Sequence, residues 1–146
     1  MEVKQILCAV DFSEDSILAF KAAAKLAGFF HAGLFVIHVI EPTPIPSDMM
    51  PVRSLGDEVM SIEQKAMRAL EMLIAEHAGH LREGQVSAEV TTGHAATEIV
   101  SYVRNLGVDI AVVGAKGVRL LEEAVIGGTT EHVVKEAGCS VFVVKG

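Results

Sequence analysis

The chain has 146 residues, about one domain's worth, and 51% of them are hydrophobic, enough for a buried core that needs no disulfide or metal. With no Trp and one Tyr that core must be aliphatic and β-branched, which suits a sheet covered on both faces. A formal net charge of −7 argues against nucleic acid or an anionic membrane as a partner, since both require basic patches, and no second module is visible within residues 1–146.

Residues 4–10 form a short apolar run that halts at Asp11 and reads as a central strand. It is far too short for a signal peptide or a membrane span, so a cytoplasmic protein is expected. Ser13 is the expected cap of the next helix and Ser16 the alternative. That helix runs to about Phe30, with Ile17, Phe20, Ala24, Leu26 and Ala27 forming its core stripe. Residues 33–39 make a second strand. All four prolines (Pro42, Pro44, Pro46, Pro51) fall in residues 41–57, which read as an irregular loop. Such a loop serves either as a lid or as a variable surface excursion.

A long helix is expected over 58–82, with Val59, Ile62, Ala66, Leu70, Leu73, His77 and Leu81 at helical spacing. Residues 85–91 alternate as a strand, and 95–106 form a helix with Ile99, Tyr102, Val103 and Leu106 on one face. Residues 109–113 are a buried strand ending at Gly114. A helix over about 130–137 and a strand from Val141 to Val144 complete the chain. Five strands alternating with four helices imply a doubly wound α/β fold, a five-stranded parallel sheet with helices on both faces; the expected strand order is 3-2-1-4-5. Ligands bind such sheets outside the strand carboxyl ends, where strand order reverses, so the loops at Asp11 and Gly114 should flank the site.

Gly114-Ala115-Lys116-Gly117, followed after nine residues by Gly127-Gly128-Thr129-Thr130, is the most informative feature. The first pair ends a strand and lets a ligand approach backbone amides closely. The second opens a helix, whose first N–H groups lack internal partners and whose dipole is positive there, an anion site. Thr129 and Thr130 add hydroxyls, and Lys116 and Arg119 add charge. The alternative is that these glycines serve only tight turns.

On these residues the chain resembles the ATP-binding universal stress proteins. The resemblance spans the whole chain: Ala9-Val10-Asp11 after the first strand, His38-Val39 ending the second, residues 108–114, the glycine constellation, and residues 139–145. It implies that Ala9, Asp11 and Val39 meet the nucleoside. The stretch Gly114, Ala115, Lys116, Gly117, Val118 and Arg119, with Gly127, Gly128, Thr129 and Thr130, would hold the phosphates of ATP, together with Mg or Mn carried mainly by those phosphates. It further implies a homodimer paired through the strand from Val141 to Val144, and a role in stress response as a binding module rather than an enzyme. The alternatives are a nucleotide-free scaffold and a slow ATPase. The chain departs from the family pattern in having Gly128 where Ser or Thr follows the third glycine, and Val118 where a basic residue is common. Each missing charge-assisted contact costs about 1.5–3 kcal/mol. The exposed apolar edge of the last strand independently favours pairing.

Other features carry less. His77-Ala78-Gly79-His80 fits the H-x-G-H pattern of adenylyl-transferring enzymes, but on an amphipathic helix rather than after the first strand. His31, His38, His94 and His132 show no metal-ligand spacing, and His38 reads as a hydrogen-bonded core residue. P-loop, dinucleotide and hydrolase motifs are absent. A two-component receiver would want an acid where the third strand ends at Thr91-Thr92-Gly93. Cys8 and Cys139, both in apolar runs, read as buried reduced thiols, and Glu122 and Glu123 as pointing outward.

Overall fold

The computed structural model describes residues 2–42, 60–117 and 126–146. Its elements in chain order are β1 (Gln5–Ala9), α1 (Glu14–Phe30), β2 (Gly33–Ile40), α2 (Ile62–His77), β3 (Val86–Thr92), α3 (Ala95–Leu106), β4 (Ile110–Gly114), α4 (Gly128–Glu136) and β5 (Ser140–Val144). The five strands form one sheet in the order β3-β2-β1-β4-β5, and every pairing is parallel. The expected fold class is what the structure shows.

The sheet is central because its middle strands are apolar on both faces. Cys8 lies beside Val36 on β2 and Val112 on β4, and these three side chains join Ile6, Phe20 and Leu70 in one core cluster under α1 and α2. Strand alternation sends Leu7, Ile37, Ala111 and Val113 the other way, against Ile99 and Val103 of α3 and Val133 of α4. Two apolar faces therefore bury two helix layers, as a parallel sheet requires.

The helices differ from expectation in detail. Helix α1 begins at the expected cap: Ser13 accepts the Ser16 N–H at 3.3 Å. Its buried stripe is Ala19, Phe20, Ala23, Ala24 and Ala27, while Ile17 and Leu26 are only half-buried. Alanines let the helix axis sit close to the sheet, and the bulkier residues are displaced to its flanks. Helix α2 is shorter than 58–82. Ser61 and Gln64 form a reciprocal capping box that starts it at Ile62, and the chain turns at Ala78-Gly79. Ile62 is 65% exposed rather than in the core stripe, Leu81 lies beyond the helix, and Val59 lies outside the described residues. Helix α4 starts at Gly128, two residues before the expected Thr130.

Cys8 is fully buried, and desolvation pushes its thiol far above the ordinary range. Cys139 is half-buried rather than buried, because it precedes an edge strand that among the described residues has no neighbour on one side. Among the described residues, no helix is long and apolar enough to cross a membrane. Most of the loop at 41–57, and Glu122 and Glu123, lie outside the described residues.

Candidate functional site

A cavity of about 440 Å³ opens where the strand order reverses, above the carboxyl ends of β2, β1 and β4. The end of β1 contributes Ala9 and Asp11, β2 contributes Val39, and β4 contributes Gly114. Lys116, Gly117, Gly127, Gly128, Thr129 and Thr130 complete the lining from the loop after β4 and the start of α4. Ala115 does not: it is 1% exposed and its backbone is spent on the fold, donating to Val144 O at 2.8 Å and accepting from Gly127 N at 2.7 Å. Val118 and Arg119 lie outside the described residues.

The turn after β1 is tied down in several places. Phe12 adopts a left-handed conformation (φ 65°), a cost of about 1–3 kcal/mol for a non-glycine residue. Its ring sits 4.8 Å from that of His38. His38 lies 2.7 Å from Val10 O through Nδ1; a carbonyl only accepts, so Nδ1 carries the proton. Asp11 Oδ1 accepts both the N–H of Ser13, at 3.0 Å, and the Ser13 hydroxyl. That hydroxyl is also 3.2 Å from Lys116 O, which links the turn to the glycine loop.

The glycines have separate physical reasons. A Cβ on Gly114 would lie 2.7 Å from the backbone of Asp15 and Ser16, so that glycine lets α1 pack on the end of β4. A Cβ on Gly117 would lie 2.6 Å from Asp11 Oδ2; this glycine makes room for the carboxylate at the cavity. A Cβ on Gly128 would meet nothing within 4 Å. Gly114 thus serves packing, and none of Gly114, Gly117 and Gly128 has the positive φ that a tight turn would demand of a glycine.

Helix α4 is anchored with its N-terminus at the cavity by the Gly127 bond to Ala115 and by Thr130, whose hydroxyl donates to Gly114 O at 2.6 Å. That side chain is 5% exposed, so it fastens the helix and does not offer its proton to a ligand. Glu131 N closes the first helical bond, to Gly127 O at 3.0 Å, which leaves the N–H groups of Gly128, Thr129 and Thr130 without helical partners. With Lys116 beside them they favour an anion.

On the side of β2 and α3 the cavity is apolar, walled by Ile37, Val39 and Ile99. Sequence reasoning assigns Ile99 to the core, where it is 3% exposed, and does not place it at the site. Glu41 also lines this end and is missed by motif reading; its Oε1 accepts the Ala95 N–H at 2.9 Å. It supplies the cap that His94, at the N-cap position of α3 without a side-chain cap bond, does not. An acid directly after a strand, facing a helix start, is the signal that could have revealed it. His77 and His80 do not line the cavity. His80 Nε2 lies 3.1 Å from Ala24 O, a contact between α1 and the turn after α2.

Comparison with known proteins agrees with this architecture. The universal stress protein family matches residues 2–145. Universal stress protein MJ0531 of Methanocaldococcus jannaschii is 31% identical over 146 residues, covering 97% of this chain and 82% of that protein. The solved structure of universal stress protein UspA from Lactobacillus plantarum is 25% identical, with a TM-score of 0.73 and 99% of each chain covered. The universal stress protein from Archaeoglobus fulgidus in complex with dAMP shares the fold, at 17% identity and a TM-score of 0.65, with 99% of this chain and 100% of that one covered. The chain belongs to the universal stress protein family.

Proposed function

We propose that this protein binds ATP and works as a cytoplasmic homodimer in stress response or regulation, a nucleotide-holding module rather than an enzyme. The observation that carries the reading is one cavity with an anion-favouring helix start and Lys116 at one end and an apolar slot at the other. The base and ribose would lie against Ala9, Val39 and Asp11. The phosphates would lie on Lys116, Gly117 and the backbone from Gly127 to Thr129, with Val118 and Arg119 included on the strength of the sequence pattern. A protein of the same fold holds dAMP, which supports a purine nucleotide.

Among the described residues no group of three His, Cys, Asp or Glu side chains could cage a metal. Mg or Mn would therefore arrive on the phosphates, where it neutralises their charge. Binding is favoured over turnover because Asp11, a carboxylate at the cavity, is turned toward Ser13 by two hydrogen bonds. Hydrolysis abolished by Asp11→Asn would overturn that part. The nucleotide-free scaffold is favoured by Gly128, which lacks a hydroxyl, and by Thr130, whose hydroxyl is engaged.

Gly117→Val tests the site. The new side chain would displace the Asp11 carboxylate from a position 2.6 Å from its Cβ, and Mg-ATP affinity by titration calorimetry should fall roughly tenfold or more. Unchanged affinity would mean that the phosphates lie elsewhere.

A further inference from the structure

We infer that His38 is a positioning residue of the cavity, whose imidazole braces the strained turn that carries Asp11. This rests on the nucleotide reading of the cavity and deepens it, by naming what holds one wall of the site in its binding shape. Asp11 sits between Val10 and Phe12, and His38 engages both. The parallel pairing of β1 with β2 continues to Val10, whose N–H donates to Ile37 O at 2.9 Å. The carbonyl of the same residue accepts from His38 Nδ1 at 2.7 Å. On the other side of Asp11, the ring of Phe12 lies 4.8 Å from the imidazole.

The strain is at Phe12. Its φ of 65° lies in the left-handed region, which a residue with a side chain keeps only where its surroundings hold it. His31 shares that region, but as the C-cap of α1, where such a conformation is ordinary. Phe12 precedes an N-cap instead and has no such reason. Three bonds fasten the turn downstream: Ser13 N to Asp11 Oδ1 at 3.0 Å, the Ser13 hydroxyl 3.2 Å from Lys116 O, and Asp11 N to Ser16 Oγ at 3.3 Å. They tie Asp11 and Ser13 to α1 and to the glycine loop, and none of them reaches Phe12 or the Val10 carbonyl. His38 supplies both of those contacts. It is half-buried and itself lines the cavity, so the brace and the site form one continuous wall. Without the imidazole, Phe12 relaxes and Asp11 turns with it.

Mg-ATP affinity by titration calorimetry tests the brace, and hydrogen exchange at the Ser13 amide, read without nucleotide, reports the turn itself. His38→Ala removes both contacts. Its affinity should fall roughly tenfold, the scale of the strain released, and Ser13 exchange should quicken by a similar factor. Glycine takes a φ of 65° without strain, so Phe12→Gly added to His38→Ala should recover most of both losses. A side chain that merely filled space would give the reverse, since removing a second ring enlarges the void. His38→Asn, whose amide can still donate to Val10 O, should fall between wild type and His38→Ala, and it replaces the alanine variant if that one fails to fold. Wild-type affinity in His38→Ala, or a double variant that binds no better than His38→Ala, would overturn this assignment and leave the nucleotide site standing. A wild type that binds no Mg-ATP would overturn the nucleotide reading, and this inference with it.

Discussion

Three glycines that look alike in the sequence are held in place by three different neighbourhoods. Gly114 faces the backbone of α1 at 2.7 Å from where its Cβ would be, Gly117 faces a flexible carboxylate, and Gly128 faces open space. Backbone cannot move aside as a carboxylate can, so Gly114→Ala should destabilise the fold by about 1–3 kcal/mol, read as a lower midpoint in urea unfolding. A wild-type midpoint would show that α1 gives way freely. Gly128→Ser should leave the midpoint unchanged or slightly raised, because nothing opposes the side chain. Its hydroxyl, added at the helix start, should tighten Mg-ATP roughly tenfold. Weaker or unchanged binding would mean that the phosphates do not reach the start of α4. Spacing alone reveals that a glycine is present. Which atom would occupy the space of its side chain is a property of the packed structure, which is why the sequence leaves the turn and anion readings both open.

At the scale of elements, apolar periodicity carries a long way. Residues 95–106 are recovered to the residue as α3, and Ser13 as the cap of α1. It overruns in α2, where the apolar spacing of Val59 and Leu81 continues past the capping box at Ser61 and the turn at Gly79 that end the helix. Local hydrogen bonds decide those ends. A further local device, Asp109, ties β1 to β4 ahead of their first paired residues. Its Oδ2 accepts the N–H of Lys4 at 2.8 Å and of Gln5 at 3.0 Å, and these bonds, Lys4 first, hold its carboxyl below its ordinary 3.8. A carboxyl with a lowered folded-state pKa stabilises the fold above its unfolded value, and that stabilisation is lost as pH falls through the folded value. Asp109→Asn should therefore lower the melting temperature at neutral pH, and the gap from wild type should close as pH falls below 3.8. A gap of constant size across the acid range would show that the charge on Asp109 contributes nothing.

At the scale of the whole molecule, a parallel doubly wound sheet follows from alternation of elements and the handedness of their crossovers, and so is legible without coordinates; those rules equally allow the order 2-1-3-4-5, so they do not fix the order that the structure has. The anion-favouring end of the cavity is legible too, because glycines and a helix start leave a pattern. The apolar end is not. Ile37 and Ile99 look like any core residues, and Glu41 becomes visible only when β2 and α3 are brought side by side. Among the described residues the sheet also leaves β5 unpaired on its outer side, with Phe142 48% exposed. We expect that edge to join its counterpart in a second copy. Gel filtration at micromolar concentration should then show a dimer for wild type and a monomer for Phe142→Glu, whose charge opposes edge pairing. A monomeric wild type would contradict the homodimer.

The most direct test of nucleotide binding is to purify the protein without added nucleotide, denature it and identify what is released by chromatography and mass spectrometry. ATP or ADP should appear at near one per chain, or, where little is released, the emptied protein should take up added Mg-ATP. A protein that releases nothing and also fails to bind Mg-ATP would contradict it and leave the nucleotide-free scaffold as the reading.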